Sequence, residues 1–195
     1  YRKALEIRER LGLERDAADD YHQLGTLAQM RQRYDEAEEW YRKALEIFEK
    51  MGLKRYAAND YYQLGKILVT QGRWHEALDF FYGAFKLFRL MNDLNGEAGA
   101  LFESGLVHHL MNNYELARRY YKDSLRLYER VKDELGKAML KFALGRLEMQ
   151  TQMFKDAIRD LEEAKQIFLN LKDEDRTKVI QQMLVLLKGG KGRDE

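Results

Sequence analysis

The chain has 195 residues, of which 34% are charged, and its formal net charge is only +1. It contains no cysteine, which excludes disulfides, thiol catalysis and zinc–thiolate sites and favours a reducing compartment, so we expect a cytoplasmic protein. Because acidic and basic residues nearly balance, the composition gives no reason to expect binding to nucleic acid. No apolar run approaches the ~18 residues needed to cross a bilayer, so we expect no membrane association.

The sequence repeats itself with a period of 40 residues and without insertions or deletions. Residues 41–47 are identical to residues 1–7, and less similar copies of this segment begin at positions 81, 121 and 161. A second phrase recurs with the same period, as Leu24-Gly25, Leu64-Gly65, Ser104-Gly105 and Leu144-Gly145. A fixed period of this length is typical of a solenoid, in which each unit packs only against its neighbours. We therefore expect an extended surface rather than a single pocket.

Apolar residues at helical spacing predict ten helices along the chain. In order, they cover residues 1–11, 14–31, 34–50, 54–71, 74–91, 94–111, 114–131, 134–151, 154–170 and 174–188. The sequence contains no proline, so long uninterrupted helices are possible throughout. The loops between them are only two or three residues long, which predicts that consecutive helices run antiparallel.

The helices that end each unit are followed by residues suited to a turn. The position favoured for a left-handed cap is occupied by Gly12, Gly52, Asn92, Lys132 and Lys172, of which the lysines adopt that conformation less readily. The next residue is an aspartate in the later units, where it can cap the following helix: Asp93, Asp133 and Asp173. The first two units have Leu13 and Leu53 instead, so we predict nearly continuous helix at those two junctions.

One glycine lies inside the first helix of every unit, at positions 25, 65, 105 and 145. Each costs roughly 1 kcal/mol relative to alanine in a helix interior. Four such costs at one position of the repeat predict that a partner helix approaches closely there. We expect the other half of this contact to come from the small residues Ala37, Ala77, Ala117 and Ala157.

Taken together, these positions resemble the tetratricopeptide repeat in its form with a 40-residue unit. The repeat sequences look most similar to those of prokaryotic members. In the first full unit the matching residues are Tyr21, Leu24, Gly25, Ala28, Ala37, Tyr41 and Ala44. The fourth unit departs from the pattern with Lys141 where a large residue belongs, and the helix-ending proline of the family is missing throughout. The resemblance implies an all-α fold, a right-handed α-solenoid of antiparallel helix pairs that forms a superhelix.

The repeats predict a single array over residues 1–188. It consists of a half repeat at 1–13, four full repeats at 14–53, 54–93, 94–133 and 134–173, and a capping helix at 174–188. We expect residues 189–195, which are rich in glycine, to form a flexible tail. Because the array starts and ends within a unit, we expect the chain to be part of a larger protein.

The resemblance also implies that the first helix of each repeat lines a concave groove and that residues beside the Leu-Gly pairs point into it. The expected groove residues are His22, Gln23, Thr26, Tyr62, Gln63, Lys66, Phe102, Glu103, Leu106, His109, Phe142 and Arg146. One residue of each unit forms a row that is aromatic or imidazole throughout: His22, Tyr62, Phe102 and Phe142. Such side chains are favoured at binding surfaces because they offer a large area at little entropic cost. The alternative is that this row only fills the inner wall between adjacent helices.

Two apolar residues, Tyr82 and Leu90, interrupt the polar character of the outer positions. The equivalents of Tyr82 are Arg42, Lys122 and Glu162, and those of Leu90 are Lys50, Arg130 and Asn170. We interpret the two residues as a candidate outer contact patch. Single exposed apolar residues are also normal on protein surfaces, and that alternative stays open.

Residues with catalytic or metal-binding chemistry are few. Glu38-Glu39 is an acidic pair of the kind common on helix surfaces, and the adjacent His108 and His109 point to different helix faces. We therefore expect no metal site, no cofactor and no enzymatic activity. The Lys and Asn constellation with which co-chaperone members of the family grip a C-terminal carboxylate is also missing, because the corresponding positions hold His22, Thr26, Tyr62 and Lys66.

These observations predict a non-catalytic module that binds a peptide or helix of a partner protein in its groove. The alternative is the regulatory or sensor region of a larger multidomain signalling ATPase or transcription regulator, in which the array contacts another domain of the same protein. Self-association through the open ends of the array is a further expectation, because a repeat at an open end leaves an apolar side uncovered.

Overall fold

The structure, a computed structural model, describes residues 1–190 apart from the side chain of Arg2. Within that range the fold is all-α. The helices are α1 (Arg2–Arg10), α2 (Glu14–Met30), α3 (Tyr34–Lys50), α4 (Lys54–Thr70), α5 (Trp74–Leu90), α6 (Leu94–Leu110), α7 (Tyr114–Val131), α8 (Glu134–Gln150), α9 (Phe154–Asn170) and α10 (Glu174–Gly190). Their bounds agree with the sequence-based prediction to within two residues. Helix α10 takes in the first two residues of the expected flexible tail, and the rest of that tail lies outside the described residues.

The chain divides into two compact units, Tyr1–Val107 and His108–Glu195, with the boundary inside α6. In the first unit α1 packs on α2, α2 on α3, α3 on α4 and α4 on α5. In the second unit α7 packs on α8, α8 on α9 and α9 on α10. Each unit is therefore a solenoid in which helices pack on their neighbours in the chain. Among residues 1–190, no helix is both long and apolar enough to cross a membrane.

The first two junctions are turns rather than continuous helix, so that prediction was wrong. Gly12 lies in the left-handed region with φ 67°. The N–H of Leu13 donates to the carbonyl oxygen of Arg8 at 2.9 Å, and the N–H of Gly12 donates to that of Glu9 at 3.1 Å. This pair of bonds is the Schellman motif, which closes a helix. Gly52, also at φ 67°, ends α3 in the same way. The left-handed conformation of the glycine decides the turn, whatever residue follows it.

The later turns between repeats reach the same geometry without glycine. The left-handed position is held by Asn92, Lys132 and Lys172, with φ of 55°, 59° and 58°. The aspartate that follows accepts a backbone N–H three residues on: Asp93 from Gly96 at 3.0 Å, Asp133 from Gly136 at 2.8 Å and Asp173 from Arg176 at 3.0 Å. The predicted aspartate caps are therefore confirmed. A cap stabilises the helix by about 1 kcal/mol. This offsets part of the roughly 1–2 kcal/mol that the left-handed conformation costs a lysine.

Gly25, Gly65 and Gly145 lie closest to large side chains rather than to the alanines that we expected. A Cβ added at Gly65 would lie 2.5 Å from the ring of Phe81, and one at Gly25 would lie 2.9 Å from the ring of Tyr41. At Gly145 the nearest atom belongs to Leu161, at 2.6 Å. The close approach is therefore real, but its main partner is the ring or branched chain that lies directly on the glycine. In the fourth repeat the backbone oxygen of Ala157 is the third-nearest atom, at 3.4 Å.

The core follows the helix pairs within each unit. The largest fully buried side chains are Tyr41, Phe48, Leu64, Ile67, Leu68 and Phe81 in the first unit and Tyr121, Leu140, Leu147, Leu161, Phe168 and Ile180 in the second. Full burial of an aliphatic or phenyl side chain contributes roughly 1.5–3 kcal/mol. Helix α10 takes part through Ile180 and Leu184, which belong to the same apolar cluster as Phe168 of α9.

The fourth repeat replaces an aromatic pair by an ion pair. In the first repeat, Tyr21 stacks on Trp40 with ring centroids 5.6 Å apart. The same repeat positions hold Lys141 and Asp160, and the lysine Nζ lies 3.1 Å from Asp160 Oδ1. Burial lowers the pKa of Lys141, but its bonds to Glu163 and Asp160 outweigh that effect and raise the pKa. The departure of Lys141 from the repeat pattern is thus matched by a second change on the facing helix.

Candidate interaction surface on the first helices of the repeats

The first helix of each repeat is α2, α4, α6 or α8, and we call these the A helices and their partners α3, α5, α7 and α9 the B helices. The predicted groove residues all lie on A helices, and we call this set the A-helix face: His22, Gln23, Thr26, Tyr62, Gln63, Lys66, Phe102, Glu103 and Leu106 in the first unit, and His109, Phe142 and Arg146 in the second. None of them is fully buried, and Gln23 and Arg146 are exposed. The set therefore remains accessible to a ligand.

In the first unit, His22 is held by the next repeat. Its Nδ1 lies 2.5 Å from Oδ1 of Asp60, which is on α4 and is fully buried. Burial raises the pKa of Asp60, although the bond and the charge of His22 oppose this. The imidazole also meets the ring of Tyr41 edge-on, with centroids 5.4 Å apart. Two contacts on different helices thus fix the orientation of the first member of the aromatic row.

The second member, Tyr62, links α4 to α6 in a similar way. Its hydroxyl donates to Oε1 of Glu103 at 3.2 Å, and its ring meets Phe81 edge-on at 5.9 Å. Lys66, one turn further along α4, places its Nζ 5.7 Å from the centre of the Tyr62 ring. Burial raises the pKa of Glu103, while the charge of Lys66 and the bond from Tyr62 oppose the rise. His22 and Tyr62 therefore bond neighbouring A helices to each other, and both residues stay only partly buried.

Sequence reasoning missed one polar residue beside this face, Gln29 of α2. The hydroxyl of Tyr41 donates to Gln29 Oε1 at 3.0 Å and lies 3.0 Å from Oγ1 of Thr26. Gln29 is the repeat equivalent of His109, and its position one turn beyond Thr26 on the same helix was the available signal. Burial raises the pKa of Tyr41, although its bond with Thr26 opposes the rise.

In the second unit, His109 makes the contact that Gln29 makes in the first. Its Nδ1 lies 3.3 Å from the hydroxyl of Tyr121, and its Nε2 lies 2.5 Å from Oε1 of Gln150 at the end of α8. Phe142, on α8, packs against the apolar cluster formed by α8, α9 and α10, and Arg146 lies over its ring at 5.9 Å. The A-helix face in this unit thus combines an aromatic ring, an exposed cation and a bonded imidazole.

The A-helix face carries several kinds of group that can make noncovalent contacts. It offers ring edges, side-chain amides at Gln23 and Gln63, and charges of both signs. Within residues 1–190, no three His, Asp or Glu side chains are grouped so that they could hold a metal ion. The two candidate outer residues lie elsewhere, on α5, where Tyr82 is 60% exposed and Leu90 is 61% exposed.

The family model of the tetratricopeptide repeat matches residues 1–50 and 56–130. The chain belongs to the tetratricopeptide-repeat family. Tetratricopeptide repeats are generally protein-interaction modules, and members of the family bind protein or peptide partners. No curated protein sequence matches the chain.

Solved structures share this tetratricopeptide-repeat fold. The apo form of RapI matches with a TM-score of 0.86 and 15% identity, over 95% of this chain and 69% of that one. BtubC from P. vanneervenii matches with a TM-score of 0.71 and 18% identity, over 99% and 90%. A signal transduction ATPase with numerous domains and a tetratricopeptide repeat sensor, from Pyrococcus horikoshii, matches with a TM-score of 0.80 and 22% identity, over 89% of this chain and 27% of that one. At these identities the likeness concerns the fold alone.

Proposed function

We propose that the chain is a non-catalytic module that binds a peptide or helix of a partner protein on its A-helix face. The observation that carries the proposal is the row at His22, Tyr62, Phe102 and Phe142, which is aromatic or imidazole in every repeat yet never fully buried. A row that served only as core would gain from full burial. Bonds from His22 and Tyr62 to the next repeat hold the first two rings in fixed positions.

The chemistry of the row defines the kind of ligand. Rigid ring edges at Tyr62, Phe102 and Phe142 offer apolar contact area at little entropic cost, so they are the expected anchors. The amides of Gln23 and Gln63, on the same helices, can each donate to and accept from a peptide backbone. We therefore expect a segment with apolar side chains for the rings and with free backbone or polar groups for the amides.

The test uses peptides selected from a random displayed library on the immobilised 195-residue chain. Replacing Phe102 and Phe142 together by alanine should abolish binding of the selected peptides, because interfaces of this kind concentrate their energy in a few aromatic anchors. Circular dichroism should remain helical. Glu46→Ala on the exposed side of α3 is the matched control and should bind normally.

A second variant separates binding from folding. Gln23→Glu with Gln63→Glu removes the amide donors without deleting a packed ring, so it should weaken the same peptides while the melting temperature stays unchanged. The proposal is wrong if the selected peptides bind both variants as tightly as the unmodified chain. It is also wrong if the double alanine variant unfolds while the amide variant binds normally, since the row would then be core.

A second candidate function is that of a sensor region within a larger signalling ATPase. It is favoured by the likeness in fold to the Pyrococcus horikoshii protein, which carries a tetratricopeptide repeat sensor. In that case the ligand of the A-helix face would be another domain of the same protein. The sequence encoded upstream of Tyr1 distinguishes the two functions, because a phosphate-binding loop of the P-loop type there would favour the sensor.

A further inference from the structure

Helix α5 presents an outer surface unlike that of the other B helices. Tyr82 stands where α3 has Arg42 and α7 has Lys122, and Leu90 stands where they have Lys50 and Arg130. Both apolar side chains are more than half exposed, at 60% and 61%. Neither is needed for packing within the repeat, since the other repeats fold with charged or polar residues at these positions.

Tyr82 is an ordered aromatic surface rather than a loose side chain. Its ring stacks on Phe85 with centroids 6.5 Å apart and an interplanar angle of 17°. The Nζ of Lys86 lies 4.7 Å from the centre of the same ring. A side chain that is already held in place loses little conformational entropy when it is covered by a partner, which is the property of residues that anchor interfaces.

The charges around Tyr82 are arranged so that α5 complements itself. Asp79 lies three residues before Tyr82, and Lys86 lies four residues after it, so all three share one exposed face of the helix. A second α5 laid antiparallel, with the two-fold axis between positions 82 and 83, brings Asp79 opposite Lys86 of the other copy and Lys86 opposite its Asp79. The same operation brings Glu76, which already pairs with Arg73 of its own chain, opposite Arg89 of the other copy. The two tyrosines meet at the centre.

The equivalent faces of the flanking B helices are not self-complementary. At the positions of Asp79 and Lys86, α3 has Glu39 and Glu46, and α7 has Arg119 and Arg126. An antiparallel two-fold pairing of either helix would therefore place like charges opposite each other, which is unfavourable. These two helices also lack an apolar residue at the positions of Tyr82 and Leu90. Among α3, α5 and α7, only α5 combines an apolar centre with opposite charges on either side.

We propose that the chain forms a reversible homodimer through antiparallel contact of α5 with α5 of a second copy. The contact uses residues of α5, none of which belongs to the A-helix face. It involves one helix from each copy, which corresponds to an interface at the small end of specific complexes, so the dimer is weak. We expect a dissociation constant on the order of 100 µM.

Sedimentation velocity of the full chain over a concentration series measures this association. We expect a rise from monomer toward dimer between ~10 µM and ~1 mM, and a smaller rise at high salt because the flanking pairs are screened. Tyr82→Arg with Leu90→Lys gives α5 the residues that α3 carries. This variant should remain monomeric over the same range with an unchanged melting temperature.

A charge exchange tests the pairing itself. Lys86→Asp should weaken the dimer by at least about tenfold, because Asp79 of the other copy then meets a carboxylate, and Asp79→Lys should do the same. The double exchange Asp79→Lys with Lys86→Asp should restore dimerisation. Glu46→Lys on α3 is the matched control and should have no effect.

Three results would overturn the proposal. One is a chain that stays monomeric at about 1 mM, well above the expected dissociation constant. Another is a dimer that survives Tyr82→Arg with Leu90→Lys, which would assign self-association to another surface such as the ends of the array. The third is a double charge exchange that fails to restore what each single exchange removes, since the paired residues would then not face each other.

Discussion

Glu148 is the residue whose chemistry departs furthest from its surroundings. It is only 3% exposed, at a position where the first two repeats have Ala28 and Leu68. Its Oε1 lies 3.4 Å from a guanidinium nitrogen of Arg118. Burial and then the charge of Asp160 raise the pKa of Glu148 to about 7, and Arg118 offsets only part of this. The fourth repeat thus holds a carboxyl group that keeps its proton to a higher pH than an ordinary glutamate does.

Replacing Glu148 by glutamine should change the pH dependence of stability. Because the pKa of Glu148 is about 7 in the folded chain and that of an unperturbed glutamate is 4.5, its proton stabilises the fold fully below pH ~4.5, and that contribution is lost as the pH rises through ~7. The loss amounts to about 3 kcal/mol at most. Glu148→Gln should therefore raise the free energy of unfolding at pH ~8 and change it little at pH ~4.5.

Urea denaturation of both chains at the two pH values measures this effect. Glu174→Gln is the control for the same substitution at an exposed position, on α10. Equal stability of the Glu148→Gln and unmodified chains at the higher pH would mean that the ion pair with Arg118 fully compensates for the burial of the carboxylate.

Some residue-level features could be predicted from the sequence, and others could not. The aspartate caps depend on neighbours within three residues, so the local pattern was sufficient to predict them. The pair Lys141–Asp160 spans two helices, and the sequence showed only that the lysine was unusual. Comparison of repeat-equivalent positions on the facing helix could have found its partner. The bond between His22 and Asp60 joins two repeats, and no pattern within one repeat indicates it.

At the scale of helices, contacts between an interior glycine and the side chain that covers it, as at Gly25, Gly65 and Gly145, set how closely an A helix approaches its B helix. The glycine at position 65 lies under the ring of Phe81, which has no exposed surface. The period of the sequence was enough to predict that a close contact exists at this position. It did not identify the covering residue, because alanine and the aromatic residue lie on the same side of the B helix, one turn apart, and the sequence does not say which of them meets the glycine.

Gly65→Ala tests this contact by the sign of its effect. Helix propensity alone predicts that the substitution stabilises α4 by about 1 kcal/mol. The structure predicts the opposite, because the new Cβ would lie 2.5 Å from the Phe81 ring and the buried ring has little room to move. We expect a net loss of roughly 1–3 kcal/mol in thermal or urea denaturation. Lys66→Ala, one residue on, should be nearly neutral, and a stabilising Gly65→Ala would contradict the packing described here.

Helix α10 offers a second test at this scale, because its apolar residues are divided between two sides. Ile180 and Leu184 are buried, whereas Val185 and Leu186 are 60% and 72% exposed. Ile180→Ala with Leu184→Ala should lower the free energy of unfolding by roughly 2–5 kcal/mol for each residue. Val185→Ala with Leu186→Ala should leave it nearly unchanged. Similar losses from the two pairs would show that α10 does not act as the cap of the fourth repeat.

For the whole molecule, the constant 40-residue period places equivalent residues at the same position of every A helix. That regularity could be predicted from the sequence alone, and with it the family and the helices. The contacts that order the A-helix face could not, because they join side chains from different repeats. The division into two units within α6 was not predicted either, since the period runs through it without a break.

Photocrosslinking from the A-helix face is the most direct test of the claim that this face binds the ligand. A benzophenone amino acid is placed at Gln23, or at Glu46 on the exposed side of α3, and each chain is irradiated with the peptides selected from the displayed library. We expect peptide adducts from position 23 and none from position 46. Adducts from position 46 with none from position 23 would contradict the claim, because the ligand would then lie on the outer surface of the repeats.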